Sequence, residues 1–354
     1  MSYEVVPLRL EEHGEALGRL WAENMSDPRI AEHVGARIEW LYRSNPGGPA
    51  TTCLCLHRES GAVIGCGSFL PRATWAAGAV RRGAVLCDFA VARAHRVVGA
   101  ALAIQRGLLA EARAAGIELL YGYPNQKSAA LFGRLGYRQV AQATTWVKPL
   151  RSLYKLREIL PWKAAAQAAA LPADLGLRLL DGALRVLARR PAVATPLAPG
   201  DRRVDELWQR ARRRYGVVGE QTGSYLDWRY GRFVTQAHQL VGVEGPDGQL
   251  AGYAACSLAG GAGLVRHLFS DRDPDTDEAL LLALAGRLRD QGADSLLVCY
   301  VGDQAFGPRL RRVGFLPRPG SRPLMVHAES VPEALRAEVL DPDRWLMLDG
   351  EIDI

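Results

Sequence analysis

The chain has 354 residues, of which 48% are hydrophobic and 23% charged. That balance can bury a large core, excludes disorder as the main state, and leaves room for two or three domains of roughly 100–200 residues each. The net charge is +6, yet all but four of the 44 basic residues are arginine, the lysines being Lys127, Lys148, Lys155 and Lys163. An arginine excess of this kind reads as coding bias more readily than as a polyanion-binding surface, which argues against a nucleic-acid partner.

No stretch reaches the roughly 18 apolar residues that would span a bilayer. The N-terminus, MSYEVVPLRLEEHGE, has no basic leader and no apolar run, so no membrane span and no signal peptide are expected, and the location read from this is cytoplasmic. Cys53, Cys55, Cys66, Cys87, Cys256 and Cys299 lie mostly in apolar strand-like runs without CxxC spacing. They read as free buried thiols, with no metal site expected.

In chain order, Val5–Leu8 predicts a strand, and Glu11–Asn24 and Ile30–Tyr42 predict helices, the second stopped by Asn45-Pro46-Gly47-Gly48. Thr51–His57 and Ala62–Leu70 predict a hairpin, and Ala84–Ala92 another strand. Gly99–Ala115 predicts a helix closed by Gly116, followed by strand Ile117–Gly122, helix Gln126–Leu135 and strand Tyr137–Val147. Residues 149–199 are Leu/Ala/Arg-rich and punctuated by prolines. Within them Leu175–Ala188 has helical spacing with Arg178, Arg185, Arg189 and Arg190 nearby. A basic helix lying on a membrane and a helical connector packed on the domains both fit, and the ordinary width of the apolar face favours the connector.

After residue 200 the pattern restarts. Trp40-Leu41-Tyr42 recurs as Trp228-Arg229-Tyr230, Gly116 as Gly292, and Leu135-Gly136-Tyr137 as Val313-Gly314-Phe315, in the same order and with small drift in offset. This predicts two copies of one fold. The boundaries read are 1–148, a connector over 149–199, a second copy over 200–328, and a C-terminal tail over 329–354.

The chemistry-bearing stretch runs from Cys87 to Tyr137. A strand ends near Val91, a short turn carries Arg96, and small residues at Gly99, Ala100 and Ala101 open a long helix. A helix start offers unpaired N–H groups and a positive dipole end, and small residues let a ligand approach the backbone, so the turn can cradle a diphosphate. Asp88, a carboxylate inside an apolar strand, is the candidate general base; a structural aspartate is the competing reading. In the second copy the corresponding loop falls on Asp273-Pro274-Asp275-Thr276-Asp277-Glu278, where carboxylates would repel a diphosphate. His267 falls opposite Asp88 there, and Asp303 opposite Asn125.

The run Arg96-x-x-Gly99-x-Ala101, then a helix, a strand, Asn125-Gln-Lys-Ser128 and Leu135-Gly136-Tyr137, resembles the GNAT superfamily of acyl-CoA N-acyltransferases. The likeness is strong over about 30–148 and one of pattern only over 220–328. It implies an α/β (α+β) fold: two tandem GNAT-like domains, each a mixed, mostly antiparallel sheet flanked by helices. It implies that the backbone of Phe89, Ala90 and Val91 pairs with the pantetheine of acetyl-CoA or another acyl-CoA. Arg96 and the N–H groups of Val97, Val98, Gly99, Ala100 and Ala101 would hold the pyrophosphate, with Asn125 and Ser128 near the thioester. The family's proton-donating tyrosine position is Phe132 here, so Tyr123 is the candidate acid, with Tyr121 or water as substitutes. The activity implied is acyl transfer to a primary amine of a small molecule or amino sugar. A non-catalytic acyl-CoA sensor and a transfer-RNA-dependent aminoacyltransferase are the alternatives.

Overall fold

A computed structural model describes residues 3–351 apart from 26–28, 97, 234, 319 and 321. The first half contains strands β1 (Tyr3–Pro7), β2 (Thr51–His57), β3 (Val63–Ala76), β4 (Ala79–Val91), β5 (Leu119–Gly122), β6 (Arg138–Gln142) and β7 (Thr144–Pro149). Its helices are α1 (Leu10–Asn24), α2 (Arg29–Glu32), α3 (Val34–Tyr42), α4 (Val98–Ala114) and α5 (Gln126–Gly133). Then come α6 (Leu153–Ile159), α7 (Lys163–Leu187), β8 (Thr195–Pro196), α8 (Arg202–Ala211), β9 (Val217–Gly219) and α9 (Gly223–Leu226). The second half closes with β10 (Gln239–Glu244), β11 (Leu250–Ala259), β12 (Ala262–Ser270), α10 (Pro274–Asp290), β13 (Ser295–Gly302), α11 (Phe306–Arg312), β14 (Leu316–Arg318), β15 (Pro323–His327), α12 (Glu333–Val339) and β16 (Leu346–Leu348).

These strands make two eight-stranded sheets, mostly antiparallel, flanked by helices. The first runs β1-β2-β3-β4-β5-β15-β6, with β9 on β3; the second runs β14-β7-β13-β12-β11-β10-β8, with β16 on β13. The α/β fold of two GNAT-like halves is therefore present, with one feature the pattern did not show: the halves exchange strands. The single strand expected over Tyr137–Val147 breaks at Ala143, after which β7 leaves the first sheet and pairs with β13 and β14. In return β15 enters the first sheet between β5 and β6. The boundary expected at 148 thus falls inside β7, and the residues assigned to the connector include β8, a strand of the second sheet. The tail expected over 329–354 contains α12 and β16, and β16 pairs with β13.

Period-2 hydrophobicity made the strands legible, but β3 and β4 are longer than expected because they meet in a two-residue turn at Ala77-Gly78. Both residues have positive φ, 48° and 75°, the geometry that matches strand twist. An alanine in that position gives no turn signal.

Three buried clusters organise the interior. The largest spans both halves, joining Trp21, Trp40 and Leu41 to Trp208, Trp228 and Tyr253. A second lies between the first sheet and α4/α5, around Phe69, Ile104, Leu108 and Phe132. A third gathers Tyr121, Leu324, Val326, Trp345 and Met347 where β15 and the C-terminal segment meet the first sheet. Burying apolar area across the seam binds the halves into one body. Trp208, Trp228 and Tyr230 are core residues, as the pattern suggested, and all six cysteines are free.

Candidate functional site

β4 pairs with β3 along its length, but the register shifts between Cys66 and Ser68: Cys66 faces Ala90 and Ser68 faces Cys87. Asp88 and Phe89 are squeezed into that interval as a bulge, and Asp88 takes a left-handed φ of 51°. A non-glycine residue there costs about 1–3 kcal/mol and persists only where its surroundings enforce it. Here the Asp88 carboxylate receives Arg37 Nη2 at 2.5 Å and the Tyr42 hydroxyl at 3.4 Å. The Cys66 thiol donates to the Asp88 carbonyl at 3.1 Å, and Tyr42 joins Ser68 and Thr52 in a buried hydroxyl network. Burial alone would lower the Arg37 pKa, but Asp88 outweighs it and keeps the guanidinium charged. Burial and then Asp88 push the Tyr42 phenol well up.

Beyond the pairs Gly83–Leu119, Ala84–Leu120 and Val85–Tyr121, β4 and β5 part. At the parting point a Cβ on Gly122 would stand 2.9 Å from Leu86 Cβ, so only glycine lets the two chains come so close before they diverge. β4 continues to Val91 against β3, while Tyr123 and Pro124 lead the other chain away to α5. The edge of β4 over residues 86–91 is left unpaired among the described strands. This parted edge includes the backbone of Phe89, Ala90 and Val91.

At the end of the opening stands the start of α4. Val98 and Gly99 are exposed, Ala100 is buried as the anchor, and Ala101 is half-buried. Nothing lies within 4 Å of a Cβ placed on Gly99, so side chains do not plug the helix start. Arg96 is exposed and donates from Nε to the Val91 carbonyl at 3.1 Å, tying the turn to the strand end. Val97 lies outside the described residues. His95 packs beside Tyr3 and His57, away from Asp88.

Asn125 is the N-cap of α5: its side-chain oxygen accepts from the Ser128 N–H at 2.9 Å. Phe132 points into the core and packs edge-on to Tyr137 at 4.9 Å. Tyr123 has its hydroxyl buried without a hydrogen-bond partner. Burial, with Glu351 next, raises that phenol well above its usual range, which keeps it neutral. The structure thus brings Asp88, the β4 edge and the α4 start around one opening. It sets Asn125 and Ser128 at the head of α5, and turns Tyr123 towards the C-terminal segment.

Sequence reasoning missed Arg37, Tyr42 and Glu351. A basic residue one helical turn before Leu41, on the buried face of α3, was the available signal for Arg37. Nothing local marked Glu351.

The second half repeats the parting of strands but fills it. β12 and β13 pair in parallel only as far as Val265–Val298. There β16 pairs with β13 and the 3₁₀ turn Asp349–Glu351 lies against β12. Asp349 meets Arg266 at 2.6 Å, and Glu351 meets His267 at 3.2 Å, Arg72 at 3.1 Å and Gln221 at 3.0 Å. Although burial would raise it, Arg72 holds the Glu351 carboxyl at about 2. The start of α10 is closed too: Asp273 caps it by accepting from Asp275 N–H at 3.0 Å and pairs with Arg190 at 2.6 Å. Asp303, opposite Asn125 in the repeat, is paired with Arg272. Among the described residues no group of three or more His, Cys, Asp or Glu side chains converges as metal ligands. No described helix is long and apolar enough to cross a membrane.

Residues 14–137 match the model of the Acetyltransferase (GNAT) family, a span that holds the bulge, the parted strands and the α4 start. Over those residues the chain carries a GNAT-family domain. Its GNAT-like halves also superpose on solved structures across their seam. A conserved protein of Enterococcus faecalis is 13% identical with a TM-score of 0.62, over 93% of this chain and 74% of that one. Saccharomyces cerevisiae N-myristoyltransferase with bound myristoyl-CoA is 16% identical with a TM-score of 0.59, over 92% and 83%. A GNAT from Kribbella flavida is 12% identical with a TM-score of 0.60, over 94% and 72%. At such identities the likeness is one of fold. No curated protein matches the chain in sequence.

Proposed function

We propose that this GNAT protein is an acyl-CoA-dependent N-acyltransferase, with acetyl-CoA as donor and a primary amine of a small molecule or amino sugar as acceptor. The observation that carries the reading is the parting of β4 from β5 beside an unplugged α4 start. The unpaired backbone of Phe89–Val91 offers N–H and C=O groups in strand geometry, suited to pairing with the amide-bearing pantetheine arm. The first-turn N–H groups of α4, from Val98 through Ala101, have no helical carbonyl within reach and suit a diphosphate, with Arg96 adding charge. Asn125 and Ser128 flank the far side, and Val97 completes the loop in this reading. Acyl-CoA brings a thioester carbonyl that an amine can attack directly.

The protein's share is positioning and proton handling. Holding the amine beside the β4 bulge raises its effective concentration, and a bulge N–H can polarise the carbonyl oxygen. Asp88 enters this reading as a positioning residue: its carboxylate already accepts from Arg37 and Tyr42, which fixes the bulge. Tyr123, neutral and unpartnered, serves as acid to the leaving thiolate. The second half walls the cleft and carries no second acyl-CoA site, its equivalent opening being filled by its own C-terminal segment.

Titration calorimetry with acetyl-CoA and CoA tests the reading. Micromolar binding that Arg96→Glu weakens supports it; absence of binding to the unaltered protein ends it. The engaged state of Asp88 favours one other reading, a non-catalytic acyl-CoA-binding protein. Thiol release measured over a broad amine panel separates the two, since turnover with any acceptor excludes a pure sensor.

A further inference from the structure

α7 runs for 25 residues, about 37 Å, and packs through one narrow face. Ala166, Ala170 and Asp181 are buried on that face, with Leu177 and Leu184 half-buried beside them. Asp181 is ion-paired with Lys148 and Arg289, and Arg185 donates to the Leu282 carbonyl on α10 at 3.1 Å. The opposite face is apolar as well. Leu171, Leu175 and Leu179 follow one another at four-residue spacing, and Val186 continues their line, all exposed, Leu171 by 76% and Val186 by 84%. Trp162, at the head of the helix, is 75% exposed. At 3.6 residues per turn no charged side chain of α7 falls within this outward arc; Arg178 and Arg185 fall along one edge of it, and Arg189 follows just beyond the helix end. The connector reading assumed an apolar face of ordinary width, but α7 has two apolar faces and the fold uses only one. Contiguous exposed apolar surface of this kind marks an interaction site.

Charge identifies the partner. Among the described residues Arg157, Lys163, Arg178 and Arg189 make no ion pair. Every carboxylate on α6 and α7 is engaged: Glu158 with Lys155, Asp174 with the Ser152 N–H, and Asp181 as above. The polar rim of the apolar face is therefore cationic. A second copy laid face to face would bring two such rims together with no free carboxylate to meet them. A negatively charged lipid surface instead accepts the leucine line into its interfacial layer, the arginines at its headgroups, and an indole at the boundary. We infer that α7 seats this protein on an anionic lipid surface through the Leu171–Val186 face and its arginine edge.

Co-sedimentation of the full-length protein with phosphatidylglycerol-containing vesicles, against phosphatidylcholine vesicles, tests this. Binding to the anionic vesicles that salt weakens is expected. Leu175→Glu with Leu179→Glu lowers it at least roughly tenfold, and Arg178→Glu with Arg189→Glu lowers it and flattens its salt dependence. These positions are exposed, so both variants keep the wild-type melting temperature and CoA affinity, which separates this inference from the enzymatic one. Failure of the unaltered protein to sediment with anionic vesicles overturns it. So does a dimer, seen by light scattering, that the leucine substitutions split without any vesicle binding.

Discussion

The indoles of Trp40 and Trp228 stack 5.0 Å apart, 19° from parallel, and each donates its Nε1–H to the other's backbone carbonyl, at 2.7 and 2.8 Å. The two residues occupy equivalent places in the internal repeat, 188 positions apart. Their bonding is reciprocal, as is the exchange that puts β7 in the second sheet and β15 in the first. The seam is therefore a packed core rather than a hinge.

Trp228→Ala should cost about 3–5 kcal/mol, since it removes a buried indole and leaves the Trp40 carbonyl without its donor. Urea unfolding should show a lower midpoint with one transition and an unchanged slope. Two separate transitions in the unaltered protein would contradict a shared core.

Gly99→Glu places a carboxylate in open space at the α4 start, so the melting temperature should hold. Acyl-CoA affinity should fall roughly tenfold or more, because like charges in close contact cost about 1 kcal/mol each even in water and more when partly shielded. Calorimetry with CoA reads this directly; an unchanged affinity removes the α4 start from the binding site.

Asp88→Ala takes the paired carboxylate away from buried Arg37 and should cost several kcal/mol, about 3–5 as an upper range. Asp88→Asn keeps an acceptor for Arg37 and should cost less. If Asp88 positions rather than titrates, Asp88→Asn lowers kcat while the acid limb of the pH–rate profile stays in place. Loss of that limb would make Asp88 the base.

Tyr123→Phe removes a hydroxyl that has no partner, so stability should change by less than about 1 kcal/mol. As the acid, Tyr123 should carry on the order of 10²-fold in kcat, with CoA affinity unchanged. Full activity in the variant would assign the leaving-group proton to water.

A half-buried histidine, a buried one and one carboxylate contribute to the acid limit of stability. Burial, helped by Arg229 and Arg266, holds His238 down at about 3, and burial lowers His267 as well. Unfolded histidine titrates near ~6.5, so below that pH the unfolded chain binds protons that the folded one refuses. Stability is therefore complete above ~6.5 and declines as the pH falls towards 3. Glu351, held at about 2, loses its contribution between ~4.3 and 2. The urea midpoint should be flat above neutrality and fall on acidification, with a shallower slope in His238→Phe. A slope unaffected by that change would remove His238 as a cause.

Much of the candidate site could be read from neighbouring residues. The small run Gly99–Ala101 after a strand, Asn125 before a helix, and the hydrophobic periods of β4 and α4 are local signals, and the elements formed where those signals lie. Phe132 was visible as a departure, yet only packing showed that its ring belongs to the core. The exchange of β7 and β15 left no mark, because a strand with one buried face reads alike whichever sheet receives it. Ala143 ends one pairing and begins another without a glycine or proline to announce the break.

The order of elements, the doubling of the fold and the helix start that suits a diphosphate are properties of the chain itself. Each depends on propensity, period or spacing within a few residues, and these physical preferences act before distant parts meet. Three things depended on residues far apart in the chain. Arg37, 51 positions from Asp88, pairs with the carboxylate that the sequence offers as a base. Residues 346–351 fill the second opening. The outward face of α7 stays bare because one narrow strip sufficed to dock it. Ion pairs and burial between distant segments are set by three-dimensional proximity, and no local pattern encodes which partner arrives.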